Sequence, residues 1–175
     1  MTKLVLCRHA ETGNEEQARA LATELAQLAL AAVCTSPLVR ATDTARVVAE
    51  PHSLTPVELD ALAEIDFGDA DGLTFEELPP ELQEGLLRDP TAVRFPNGET
   101  YAELQQRVCG ALDAIVADHA GNAVAVITHA GPIRAALARW LQMDDGAVFR
   151  IEQRFASVNV VEWADGVPFV RLVNG

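Results

Sequence analysis

Short apolar runs alternate along the chain with longer stretches whose apolar residues recur every three or four positions. Leu4-Val5-Leu6 is the first run; behind it Ala18, Leu21, Ala22, Leu25 and Leu28 repeat at helical spacing, and Ala31 to Cys34 is a second run. Ser36-Pro37 follows, a capping hydroxyl and then a proline suited to a first helical position, which predicts a helix through about Ala49. Val57 to Leu59 is a further strand candidate. Thr100-Tyr101-Ala102-Glu103 is a capping box, and Leu104, Val108, Ala111, Leu112 and Ile115 behind it predict a helix ending near Ala120-Gly121. Val124 to Ile127 is apolar throughout, as expected of a strand buried on both faces of a parallel sheet. Gly131-Pro132 opens another helix, with Ile133, Ala136, Leu137, Trp140 and Leu141 on its inner stripe. Ser157 to Glu162 and Phe169 to Val173 flank Asp165-Gly166, a hairpin signal.

Strands alternating with helices predict an α/β fold, a three-layer α/β/α sandwich with a mostly parallel central sheet. A length of 175 residues favours one domain spanning residues 1–175. The stretch from Ala61 to Asp89 breaks the pattern. It is acidic, carries Gly68, Gly72, Pro79, Pro80 and Gly85, and reads as a loop with short helices laid over the domain.

Charge narrows the partners. Lys plus Arg is 13 and Asp plus Glu is 26, a net charge of −13, which argues against nucleic acid because phosphate-backbone binders draw their affinity from Lys and Arg. A small anion remains compatible: a few convergent arginines overcome a diffuse negative field screened over roughly 8 Å. No apolar run approaches the roughly 18 residues of a membrane span, so no membrane partner is expected. Met1 to Leu6 holds one lysine and too short an apolar run for a signal-peptide core. Cys7, Cys34 and Cys109 are odd in number and far apart, the usage of buried thiols in a reducing cytoplasm, so neither a disulfide nor a zinc site is expected. The composition carries no signal for oligomeric state.

The candidate chemistry lies at strand ends. Arg8-His9 follows the first strand, Thr35-Ser36 and then Arg40 follow the second, and Thr128-His129 follows the Val124 run. Ligands of open α/β sheets bind at the carboxyl ends of the strands, so these residues can converge on one crevice. Helical side chains tilt toward the N-terminus, which aims Arg40 at the same rim. Two histidines, two arginines and the helix N-termini after Ser36 and Ala130 then suit an anion such as phosphate. Taken singly, His9 reads equally well as a structural histidine, and Arg40 as a helix-surface arginine paired with Asp43. His52 and His119 read as structural, one in a loop and one at a helix C-terminus. Asp66, Asp69 and Asp71 suggest a calcium loop, but that pattern needs acidic residues where Phe67 and Leu78 stand.

Together these segments resemble the histidine phosphatase superfamily, the phosphoglycerate-mutase-like proteins, over nearly the whole chain. Arg8-His9-Ala10-Glu11-Thr12 is similar to the family's R-H-G-E-T, and Ser36 to Ala45 to its S-P-L-x-R-A-x-x-T-A. Leu62 to Gly68 with Gly72 is similar to its L-x-E-x-x-F-G acid loop, Pro96 to Thr100 to its P-x-G-E-[ST], and Thr128 to Arg134 to its T/S-H-G-G-x-I-R. Among relatives the short α-ribazole-phosphate phosphatase-like proteins match best. The resemblance implies a phosphoglycerate-mutase-like fold and a metal-independent phosphomonoesterase, without cofactor, acting on a small phosphorylated metabolite. It implies that His9 is the nucleophile forming a phosphohistidine, that Arg8, Arg40 and His129, with Ala130 beside them, bind the phosphoryl group, and that Glu64 donates a proton. Arg8, Arg40 and His129 are expected to act as fixed cations. Departures are Ala10 and Ala130 in place of glycines, Ala70 in place of a tryptophan, and a loop after Thr12 reduced almost to nothing. Rival readings are a phosphohistidine-protein phosphatase, a cofactor-dependent phosphoglycerate mutase and a non-catalytic phospho-ligand-binding protein.

Overall fold

The computed structural model describes residues 1–175, apart from the side chain of Asp145. Six strands, β1 (Thr2–Arg8), β2 (Leu30–Thr35), β3 (Val57–Glu58), β4 (Ala123–Thr128), β5 (Val158–Ala164) and β6 (Val167–Leu172), form one sheet in the order β3-β2-β4-β1-β5-β6. The four strands from β3 to β1 run parallel, and β5 and β6 add an antiparallel edge. The edge turns at Asp165-Gly166, both with positive φ, as a two-residue primed hairpin requires.

Alternation along the central strands sorts the core into two layers. Leu4, Leu6, Val124 and Val126 face one side, against α4 (Tyr101–Asp118) and α5 (Ala130–Trp140) through Leu104, Leu112, Ile133 and Leu137. Val5, Cys7, Ala125 and Ile127 face the other, against α1 (Glu15–Leu25) and α2 (Val39–Ala49) through Leu21, Leu25, Ala45 and Val48. The expected α/β/α sandwich is therefore present, with β1 and β4 buried on both faces. Cys7, Cys34 and Cys109 are free and buried. No helix is long and apolar enough to cross a membrane among the described residues.

Helix starts follow local chemistry. Asn14 accepts from Gln17 N–H at the head of α1, and Thr100 and Glu103 exchange hydrogen bonds in the predicted capping box of α4. The expected cap at Ser36 is corrected: α2 begins at Val39, and Leu38 stands at its cap without a side-chain bond. Ser36 lies just past the end of β2, its N–H donating to Ile127 O at 3.0 Å, and its buried hydroxyl meets His129 at the end of β4. The acidic stretch forms three short 3-10 turns, at Asp60–Leu62, Gly68–Ala70 and Phe75–Glu77, and the helix α3 (Pro80–Arg88). It has a small core of its own, made by Ala70, Leu78, Leu82, Val93 and Phe95.

Candidate active site

The parallel register brings the chemistry together. Arg8 is paired with Thr128 and Thr35 with Ile127, so the next residues, His9, His129 and Ser36, leave three adjacent strands at one edge. His9 N–H donates to Thr128 O at 2.9 Å, and the His9 and His129 rings meet edge to face with centroids 4.9 Å apart. Both residues are buried.

Hydrogen bonds hold each ring in place. Nδ1 of His9 lies 2.7 Å from Ala10 O, and a carbonyl only accepts, so Nδ1 carries the hydrogen and Nε2 keeps a free lone pair. Burial lowers the pKa of His9 to about 4, assisted by Arg40 and Arg8 against the opposing carbonyl bond, so the ring is neutral near pH 7. Nε2 of His129 lies 2.7 Å from Ser36 Oγ. Leu38 N–H donates to the same oxygen, and a hydroxyl hydrogen given by Ser36 to Nε2 would place the ring hydrogen of His129 on Nδ1. Burial, then His9, Arg40 and Arg8, hold the pKa of His129 down to about 2. Burial thus holds the ring toward its neutral form, whereas the sequence leads one to expect a fixed cation there.

Arg8 and Arg40 carry the positive charge. Arg8 donates to Gln153 O at 2.7 Å and lies over the Phe155 ring, 3.8 Å from its centroid. Arg40, in the first turn of α2, acts electrostatically on His9, His129, Arg8 and Glu64, and its side chain makes no hydrogen bond among the described residues. Asp43 pairs with Arg46 at 2.7 Å, not with Arg40. Three buried polar side-chain atoms lack partners among the described residues, and two of them, Arg8 Nε and His129 Nδ1, belong to this cluster. Buried donors without acceptors mark a place for an anion.

Glu64 closes the other side. Its carboxyl accepts from Ile65 N–H at 3.0 Å and from Gly131 N–H, in the first turn of α5, at 3.3 Å. Burial raises its pKa against the opposing pull of those amides, Arg40 and Arg8. A Cβ on Gly131 would overlap the Glu64 carboxylate, so glycine at the second position of the His129-Ala130-Gly131 segment lets that carboxylate lie here, while the first takes the Ala130 methyl. Arg107 of α4 holds the acid loop from behind. It donates to Ala61 O and Ala63 O at 2.9 Å and to Glu64 O at 3.0 Å, and grips Glu99 with two bonds of 2.6 and 2.8 Å. Gly68 and Gly98 permit the contact between the acid loop and Pro96 to Thr100, since a side chain on either would strike the other segment's backbone. Asp66 is exposed and caps the Gly68 turn.

Residues 4–175 match the family described as "Histidine phosphatase superfamily (branch 1)". The chain belongs to the histidine phosphatase superfamily. It is 37% identical to the bifunctional protein Rv2228c of Mycobacterium tuberculosis, over 99% of this chain and 54% of that protein, so the chain spans about half the length of the curated relatives it matches. It is 32% identical to phosphoserine phosphatase 1 of Hydrogenobacter thermophilus, over 82% of this chain and 78% of that one. The α-ribazole phosphatase of Shigella flexneri has the same fold, with a TM-score of 0.87 over 99% of this chain and 96% of that one, at 21% identity.

Within this histidine phosphatase, the structure brings His9, Arg8, Arg40, His129, Ala130 and Glu64 to one edge of the sheet. It leaves His119 at the end of α4 and His52 in the turn after α2, as their local sequence predicts. No group of three or more His, Cys, Asp or Glu could hold a metal among the described residues. Four contributors escape a reading of the sequence alone: Ser36 as the partner of His129, Arg107 as the anchor of the acid loop, and Gln153 and Phe155 as supports of Arg8. Only Glu99, in the Pro96 to Thr100 motif, signals that a cation must face that loop.

Proposed function

We propose that this histidine phosphatase hydrolyses small phosphate monoesters, without a metal ion, through a covalent phosphohistidine on His9. The observation that carries the proposal is the bond from His9 Nδ1 to Ala10 O, which leaves Nε2 as a neutral nucleophile in a cluster that holds two unpartnered buried polar atoms, Arg8 Nε and His129 Nδ1. Arg8, Arg40, the Nδ1–H of His129 and the N-terminus of α5 at Ala130 hold the phosphoryl oxygens and stabilise the charge that develops on them. In the first step His9 Nε2 bonds to phosphorus, the ester P–O bond breaks, and protonated Glu64 gives its hydrogen to the leaving oxygen. In the second, water attacks phosphorus, the N–P bond breaks, and Glu64 takes back a proton from that water.

Water is the acceptor because little chain is available to build a lid. Only Gly13 and Asn14 separate Thr12 from α1, so the cover must come from the acidic stretch that also supplies Glu64. That distinguishes the reaction from a mutase, which must shield its phosphoenzyme until a second hydroxyl collects the phosphoryl group. The placement of Glu64 against Gly131 favours esters, whose leaving oxygen needs a proton, over phosphohistidine proteins. Free buried cysteines fit a cytoplasmic setting. The test is p-nitrophenyl phosphate turnover with EDTA and with vanadate. Activity should survive EDTA, be inhibited competitively by vanadate and vanish in His9→Ala; loss in EDTA with recovery on adding a divalent ion would overturn the proposal.

A further inference from the structure

A cavity of about 420 Å³ opens beside the catalytic cluster and shares with it Glu64, Ala130 and Gly131. Beyond that shared edge its wall is mostly carbon, from Ile65, Phe67, Leu73, Phe75, Phe95 and Phe149. Phe67 and Phe95 meet edge to face, with centroids 5.0 Å apart, and pack into the small core of the acidic stretch, so this part of the wall is preformed. Leu73, Phe75 and Phe149, by contrast, are 45%, 40% and 48% exposed. Three large apolar side chains held at one cavity in that state form a surface that an apolar ligand would cover.

The charged lining is confined. Glu64 is the proton donor of the proposed reaction, and Asp71 is exposed. Arg134 also lines the cavity; its charge acts on Arg8, its Nε–H donates to Ile151 O at 2.7 Å, and its Nη groups make no hydrogen bond among the described residues. An ester with its phosphorus at His9 and its bridging oxygen at Glu64 has this chamber beside its alcohol half, since Glu64 lines both.

We infer that the alcohol half of the substrate is an uncharged apolar group of about one or two rings, the size that a chamber at the small end of ligand pockets encloses. The inference rests on the hydrolytic reading above. A zwitterionic leaving group such as serine would have Arg134 and the exposed Asp71 alone for its charges and would leave most of the carbon wall uncovered.

The test compares 2-phenylethyl phosphate, ethyl phosphate and O-phosphoserine, three alkyl esters that all need a proton on the leaving oxygen. kcat/KM should be at least about tenfold higher for 2-phenylethyl phosphate than for ethyl phosphate, as burial of one ring implies, and higher than for O-phosphoserine. Phe75→Ala should reduce the ratio between the first two. The corresponding phosphonates, which have no ester bond to hydrolyse, read the chamber without turnover: 2-phenylethylphosphonate should bind at least about tenfold more tightly than ethylphosphonate by calorimetry. Equal phosphonate affinities, an unchanged ratio in Phe75→Ala, or a preference for O-phosphoserine would overturn the inference while an active phosphatase remained. Selective phosphonate binding with no turnover of any ester would uphold the chamber and overturn the hydrolytic reading.

Discussion

The ring of His9 is held by the carbonyl of the next residue, with Nδ1 2.7 Å from Ala10 O. The bond orients the imidazole and also fixes its tautomer, because a carbonyl has no hydrogen to give. Ala10 is itself fixed by its N–H, which donates to Thr44 Oγ1 on α2 at 3.1 Å. The nucleophile is thus positioned by backbone from its own strand end and by a helix packed beneath it.

Activity toward alkyl phosphates should be bounded by two groups shifted in opposite directions. Attack needs neutral His9 and therefore falls away as pH drops through about 4, whereas proton donation needs protonated Glu64 and is lost as pH rises through its raised pKa. Glu64→Gln should lower alkyl ester turnover on the order of 10²- to 10⁴-fold and remove the alkaline limb due to Glu64. It should affect kcat/KM for p-nitrophenyl phosphate far less, since that quantity reports phosphoenzyme formation and this leaving group is already stable as an anion. Ionisation of the substrate near pH 6 is common to both proteins, so comparing their two profiles isolates the side chain. Equal losses on both esters would assign proton donation to Asp66.

Ser36→Ala removes the partner of His129 Nε2 and leaves both ring nitrogens unsatisfied. The expected result is a stability loss of about 1–3 kcal/mol and a fall in kcat/KM of roughly tenfold, with partial rescue in Ser36→Thr, which keeps a hydroxyl. Thermal melts and steady-state kinetics on p-nitrophenyl phosphate check both. Unchanged kinetics would show that His129 needs no second anchor.

Arg107 should matter through the acid loop it grips. Arg107→Lys cannot reproduce a fork that reaches Ala61, Ala63, Glu64 and Glu99 together. The expected stability loss is on the order of 3 kcal/mol, seen as a drop in Tm, and alkyl ester turnover should fall more than that of p-nitrophenyl phosphate. Equal falls on the two esters would separate Arg107 from the placement of Glu64.

The layers of the fold are legible because β1 and β4 have apolar centres while the helices carry a 3.6-residue period, and the cluster is legible because its members follow strand ends. Ser36 was misread for a physical reason: a serine before a proline is a good cap wherever a helix starts, and only the register of β2 against β4 reveals that its hydroxyl is taken by His129. The charge of His129 was beyond reach for a similar reason, since burial and charges from three separated segments set it. Arg107 reads as an ordinary surface residue of α4 until the acid loop folds back over it. The chamber beside Glu64 is assembled from segments that no local periodicity connects.

The central claim is that phosphate passes through His9, and rapid quench with ³²P-labelled substrate tests it most directly. Glu64→Gln, which should slow breakdown of the phosphoenzyme along with its formation from alkyl esters, is best loaded with p-nitrophenyl phosphate. The account predicts label on His9, stable in base and released in acid as a phosphoramidate is, and none in His9→Ala. Label on a serine or cysteine, or turnover that persists in His9→Ala, would contradict it.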